Sequence, residues 1–156
     1  MPEWYLPVKW IHIVSATVLF GTGFGTAFHF WFTCRGGEAR AVAASARATV
    51  VADLAFTLPA AIVQPASGLF LARIAGYPLD SGWLVFTYGL YALAGACWIT
   101  VVFIQVRLRD IATARARQGL ELGAEFRRLY RAWFWLGWPA FLAMLATLWL
   151  MVSRPA

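Results

Sequence analysis

Residues 83–106 read WLVFTYGLYALAGACWITVVFIQV and contain no charged side chain. A helix of about 20 apolar residues is long enough to cross the hydrocarbon core of a bilayer. Because lipid offers no hydrogen-bond partners to the backbone, such a stretch crosses the membrane as a helix. We therefore predict a transmembrane helix over these 24 residues.

Three further stretches are long and apolar, at about residues 4–33, 50–72 and 132–152. The whole chain is 62% hydrophobic and only 13% charged, which leaves too little polar surface to cover a water-soluble globule. We expect an all-α fold, an integral membrane four-helix bundle, as a single domain over residues 1–156. The start, MPEWYLP, lacks the positive region of a signal peptide, so we expect the first helix to be retained.

The connections between the spans are rich in arginine and glycine. A helical lead-in, residues 40–49, precedes the second span. An Arg-rich segment, residues 107–131, joins the third span to the fourth, and we predict that Gly119 divides it into two helical ends. The alternative is a segment that lies on the inner leaflet.

The distribution of basic residues predicts the orientation. Three basic residues, Lys9, Arg73 and Arg154, lie on the side of the termini, against ten on the other side. Basic loops stay in the cytoplasm, so both termini are predicted to face outward from a bacterial inner membrane. The ten arginines are Arg35, Arg40, Arg47, Arg107, Arg109, Arg115, Arg117, Arg127, Arg128 and Arg131.

This orientation sorts the polar residues into two layers, and polar groups at membrane depth usually face the interior of a bundle. The inner layer is His29, Asp53 and Gln105. The outer layer is Lys9, His12, Ser15, Gln64, Ser67, Tyr88, Tyr91 and Met151.

His12 is the strongest single candidate for a cofactor ligand. A neutral imidazole can bind haem iron, and helix bundles build such sites from inward-facing side chains. In this hypothesis Ser15, Gln64, Tyr88, Tyr91 and Met151 line the site, with Met151 as a candidate second ligand. The alternative, which spacing alone favours, is a hydrogen-bonded interior histidine.

His29 is a weaker candidate for a second haem. It lies 17 residues after His12, roughly 25 Å along a helix, so the two cannot bind one iron within one chain. We favour a pair with Asp53 or a position at the membrane interface. Asp53 could also cap a helix or extend to the cytoplasmic surface.

Two features concern the packing of the helices. Thr17, Gly21, Gly25 and His29 recur every four residues and form a small-residue face, which favours close helix packing, with a dimer contact or porphyrin slot as the alternative. Two prolines in the second span free backbone carbonyls four residues earlier. Pro59 frees that of Ala55, and Pro65 that of Ala61.

Much of the chain resembles a bacterial family of predicted four-helix integral membrane proteins of unknown function. The resemblance lies in residues 9–14 (KWIHIV), 20–28 (FGTGFGTAF), 53–59 (DLAFTLP), 63–68 (VQPASG) and 98–107 (WITVVFIQVR). It implies the four-helix membrane fold and assigns no activity.

A more distant likeness is to the four-helix membrane protoporphyrinogen oxidases of bacteria. Their first helix opens with a Lys-x-x-His pattern, matched here by Lys9 and His12. The likeness implies that His12 binds haem b. In that family a lysine on the third helix takes part, and residues 83–106 contain no lysine, so the oxidase activity is not carried over.

Three hypotheses for function follow. The first is a haem b protein that works in electron transfer or porphyrin redox chemistry with a membrane redox partner. The second is a non-enzymatic accessory subunit or homo-oligomer, and the third and weakest is a small transporter. The sequence identifies no catalytic residue and leaves open whether the protein is an enzyme. We expect the lipid bilayer as its environment and no nucleic-acid partner.

Overall fold

The computed structural model describes residues 3–153, which form helices joined by short connections and contain no strand. Its helices are α1 (Tyr5–Gly36), α2 (Ala39–Ala52), α3 (Leu58–Ile74), α4 (Gly82–Gln118) and α5 (Gly123–Ser153). Between α2 and α3 runs a π-helical turn, Asp53–Thr57, which joins them into one continuous helix.

The structure contains four helices long and apolar enough to cross a membrane, as the sequence predicted. Each is longer than its predicted span because the flanking polar residues continue the helix. The lead-in at residues 40–49 is continuous with the second membrane helix, Ala39–Ile74. The Arg-rich segment does not lie separately along a leaflet, because it forms the end of α4 and the start of α5.

Two glycines end helices where the sequence predicted breaks. Gly37 (φ 71°) follows α1 and donates its N–H to the carbonyl of Cys34. Glu38 then caps α2, since its carboxylate accepts from the backbone N–H groups of Arg40 and Ala41. Gly119 (φ 66°) ends α4 as predicted.

Short connections make successive membrane helices antiparallel. One end of the bundle, which we call the Arg-rich end, carries the connections at residues 37–38 and 119–122. The opposite end, which we call the terminal end, carries the start of α1, the end of α5 and the turn at residues 75–81. Which end faces the cytoplasm stays a prediction from the arginine distribution.

The hydrophobic core lies at the Arg-rich end. Phe30, Val42, Leu108 and Phe126 are almost fully buried there, and the Phe30 ring packs edge-on against Trp133 with centroids 5.1 Å apart. Towards the terminal end, α1 packs against α3, whereas α3 and α4 make little direct contact. The terminal end therefore depends more on polar contacts than on a packed apolar core.

Candidate functional site

A polar network joins α1 to α3 at the terminal end. The Nδ1 atom of His12 lies 2.9 Å from the hydroxyl of Ser67, and its Nε2 atom lies 3.3 Å from the amide nitrogen of Gln64. The hydroxyl of Ser15 donates to the side-chain oxygen of Gln64. Four residues of the predicted outer layer are therefore in one network.

Gly68 permits this arrangement. A Cβ atom placed on Gly68 would lie 3.1 Å from Cε1 of His12, which is tighter than ordinary van der Waals contact. The imidazole packs against the backbone of α3 at this point. Sequence reasoning missed Gly68, although it follows Ser67 directly.

The remaining residues of the predicted outer layer have other surroundings. Tyr91 donates its hydroxyl to the carbonyl of Ala61 at 2.7 Å, so it links α4 to α3. Tyr88 is 37% exposed, Lys9 is exposed and lies over the ring of Tyr5, and Met151 is half-buried near the end of α5.

A second polar site surrounds Asp53, closer to the Arg-rich end. Asp53 is only 3% exposed, and the hydroxyl of Thr57 donates to its carboxylate at 2.9 Å. The side chains of Gln105 and Trp98, both on α4, also interact with this carboxylate. The buried N–H of Trp98 has no hydrogen-bond partner among the described residues. The burial excludes the predicted alternative in which Asp53 extends to the surface.

The predicted pair of His29 and Asp53 is wrong. His29 is exposed, and its Nδ1 atom lies 2.9 Å from the hydroxyl of Ser45, which precedes Asp53 by two helical turns. The two residues of the predicted inner layer that do come together are Asp53 and Gln105.

The buried side of α2 and the π turn carries a polar residue at every fourth position. Ser45, Thr49, Asp53 and Thr57 are all buried. Three of these were absent from the predicted site. The spacing of four is visible in the sequence and could have identified them.

The Gly21 and Gly25 face does not mediate helix packing within this chain. A Cβ atom on either glycine would meet nothing within 4 Å among the described residues, and both glycines are exposed. The close intrachain approach that the sequence favoured is therefore wrong, and the face is open to lipid or to another molecule.

Comparison with known proteins identifies one family. A family model described as "Predicted integral membrane protein (DUF2269)" matches residues 6–155. No curated protein and no solved structure matches the sequence. The comparisons lend no support to the likeness with protoporphyrinogen oxidases, which stays a prediction.

Proposed function

This chain belongs to that family of predicted integral membrane proteins, and we propose that it binds haem b through His12 and works in electron transfer or porphyrin redox chemistry. The hydrogen-bonding state of the His12 ring is the observation that carries the proposal. When bound, haem would supply one-electron redox chemistry.

The network supports one neutral tautomer of His12. The hydroxyl of Ser67 donates to the carbonyl of Val63 at 2.7 Å, so its oxygen is left to accept a hydrogen bond from Nδ1–H of His12. The amide group of Gln64 then donates to the lone pair on Nε2. Histidines that bind metals usually have this arrangement, with one nitrogen held by the protein and the lone pair of the other available.

The residues around His12 fit haem binding on one condition. The Gln64 amide occupies the position in front of Nε2, so its side chain must rotate before Nε2 can bind iron. Rotating the Gln64 side chain breaks this long 3.3 Å contact and also the hydrogen bond from Ser15, at a cost of about 1 kcal/mol each. His12 is half-buried.

Matched histidine variants test the proposal. We expect the detergent-purified protein to show a Soret band and a positive pyridine haemochrome assay. His12→Ala should lose both signals, whereas His29→Ala, which removes the histidine at the other end of α1, should keep them. A wild-type protein without haem after expression in haem-supplemented cells would refute the proposal, as would a His12→Ala variant with undiminished haem.

The open Gly21 and Gly25 face favours a second candidate function, that of a homodimeric accessory subunit. Exposed glycines let a helix from another copy approach closely. Gly25→Leu should then convert a dimer to a monomer in analytical ultracentrifugation, and Gly89→Leu, at another open glycine, should not. Identical sedimentation of Gly25→Leu and wild type would exclude this interface.

A further inference from the structure

Asp53 is the one acidic residue that is buried among residues 3–153. The other acidic side chains, Glu3, Glu38, Asp80, Asp110, Glu121 and Glu125, are exposed. An isolated carboxylate in a low-dielectric environment costs several kcal/mol unless it is paired or hydrogen-bonded. The cost indicates that Asp53 has a role beyond packing.

The surroundings of Asp53 are neutral. The hydroxyl of Thr57, on the same helix, donates to the carboxylate. The neutral side chains of Gln105 and Trp98, on α4, lie beside it. On α1, His29 is hydrogen-bonded to Ser45 and not to Asp53. No charged side chain of the described part of the chain interacts with Asp53. The ionised form is therefore stabilised by neutral donors and not by a salt bridge.

Gln105 also provides an acceptor. Its side-chain oxygen is buried and has no hydrogen-bond partner among the described residues, and the residue is only 5% exposed. A buried acceptor without a donor costs about 1–3 kcal/mol. A half-turn of the amide group would exchange its N–H and its oxygen in front of Asp53. Gln105 can thus donate to a carboxylate or accept from a protonated carboxyl group.

We propose that Asp53 is a reversible proton-binding site whose two protonation states are both satisfied by Gln105. Protonation forms one O–H bond on the carboxylate, and the proton comes from water. Gln105 donates its N–H to the ionised form and accepts the O–H of the acid form. The proposal does not depend on haem binding at His12.

The positions of the buried hydroxyl groups along this helix indicate from which end of the bundle protons reach Asp53. Thr49 and Ser45 lie one and two turns from Asp53 towards the Arg-rich end, and Ser45 contacts the exposed His29. In the other direction, the next buried polar side chain after Thr57 on this helix is Gln64, about 10 Å further along. The site therefore exchanges protons with the Arg-rich end.

Infrared difference spectroscopy of the full-length protein, prepared without haem in lipid vesicles, tests this site. We expect acidification to produce the C=O stretch of a protonated carboxylic acid that shifts in D₂O. Asp53→Asn should lose this band, and Asp110→Asn, which removes an exposed carboxylate, should keep it. Gln105→Leu should change both its frequency and the pH midpoint of its titration.

Three results would overturn the proposal. In the first, the difference spectra of wild type and Asp53→Asn agree at every pH. In the second, the Asp53 band does not change with pH. In the third, the band responds to Na⁺ at constant pH. If Asp53→Asn does not fold, Asp53→Glu provides the test, because it keeps a carboxyl group and must keep a titrating band at a shifted frequency.

Discussion

At the scale of single residues, the contact between His12 and Gly68 controls how α1 and α3 meet at the terminal end. The Cε1 atom of the ring lies only 3.1 Å from the position that a Cβ atom at residue 68 would take. Ser67, the preceding residue, holds Nδ1 of the same ring. The position of the imidazole therefore depends on two adjacent residues of α3.

Gly68→Ala should destabilise the protein by about 1–3 kcal/mol, because the added methyl group overpacks against the ring of His12. The free energy of unfolding in mixed SDS micelles measures this effect. Gly95→Ala is the control, since its Cβ has open space and the change should be neutral or slightly stabilising. Equal effects of the two substitutions would show that the His12 contact is unimportant.

Depth in the membrane, read from the sequence, placed His12, Ser15, Gln64 and Ser67 at one level, and the structure brings these four together. The same reasoning did not indicate the partners of Tyr91 and His29, which are the Ala61 carbonyl and Ser45. Depth gives the level of a side chain but not the direction in which it points. That direction depends on the rotation of each helix, which is set by packing against its neighbours.

At the scale of helices, proline and tyrosine together create one hydrogen bond between α3 and α4, which otherwise make little contact. Pro65 has no N–H, so the carbonyl of Ala61 lacks its helical partner. Tyr91 of α4 supplies the missing hydrogen bond at 2.7 Å. The sequence predicted the free carbonyl, but its donor comes from a different helix and could not be identified.

Tyr91→Phe should lower the free energy of unfolding by about 0.5–1.5 kcal/mol, because it leaves the Ala61 carbonyl without a donor. In a Pro65→Ala background the same change should cost less, since the backbone N–H of residue 65 then supplies the hydrogen bond. A double-mutant cycle in mixed SDS micelles measures the coupling. Additive effects would contradict the link between Pro65 and Tyr91.

At the scale of the whole molecule, the two ends of the bundle differ in construction. The Arg-rich end has the packed aromatic and aliphatic core, and the terminal end has the polar network of His12 and little contact between α3 and α4. The sequence predicted four membrane helices because hydropathy is a property of each segment. It did not predict where the core lies, because that depends on which helix faces meet.

Labelling with a membrane-impermeant maleimide tests the predicted orientation. In a Cys34→Ser background, Ser81→Cys at the terminal end should react in intact cells, whereas Leu120→Cys at the Arg-rich end should react only after permeabilisation. Both positions lie in connections between helices, at opposite ends of the bundle. The reverse pattern would place the Arg-rich end outside.

Haem titration of purified apoprotein tests the central claim, that His12 is held as a haem ligand behind Gln64. We predict that wild type binds haem and that His12→Ala does not. Gln64→Leu should bind several-fold more tightly, because the hydrogen bonds of Gln64 to Nε2 and to Ser15 no longer have to be broken. Gln105→Leu, the same substitution at the other polar site, should bind as wild type does. Equal haem affinity of wild type and His12→Ala, or no binding by either protein, would contradict the account.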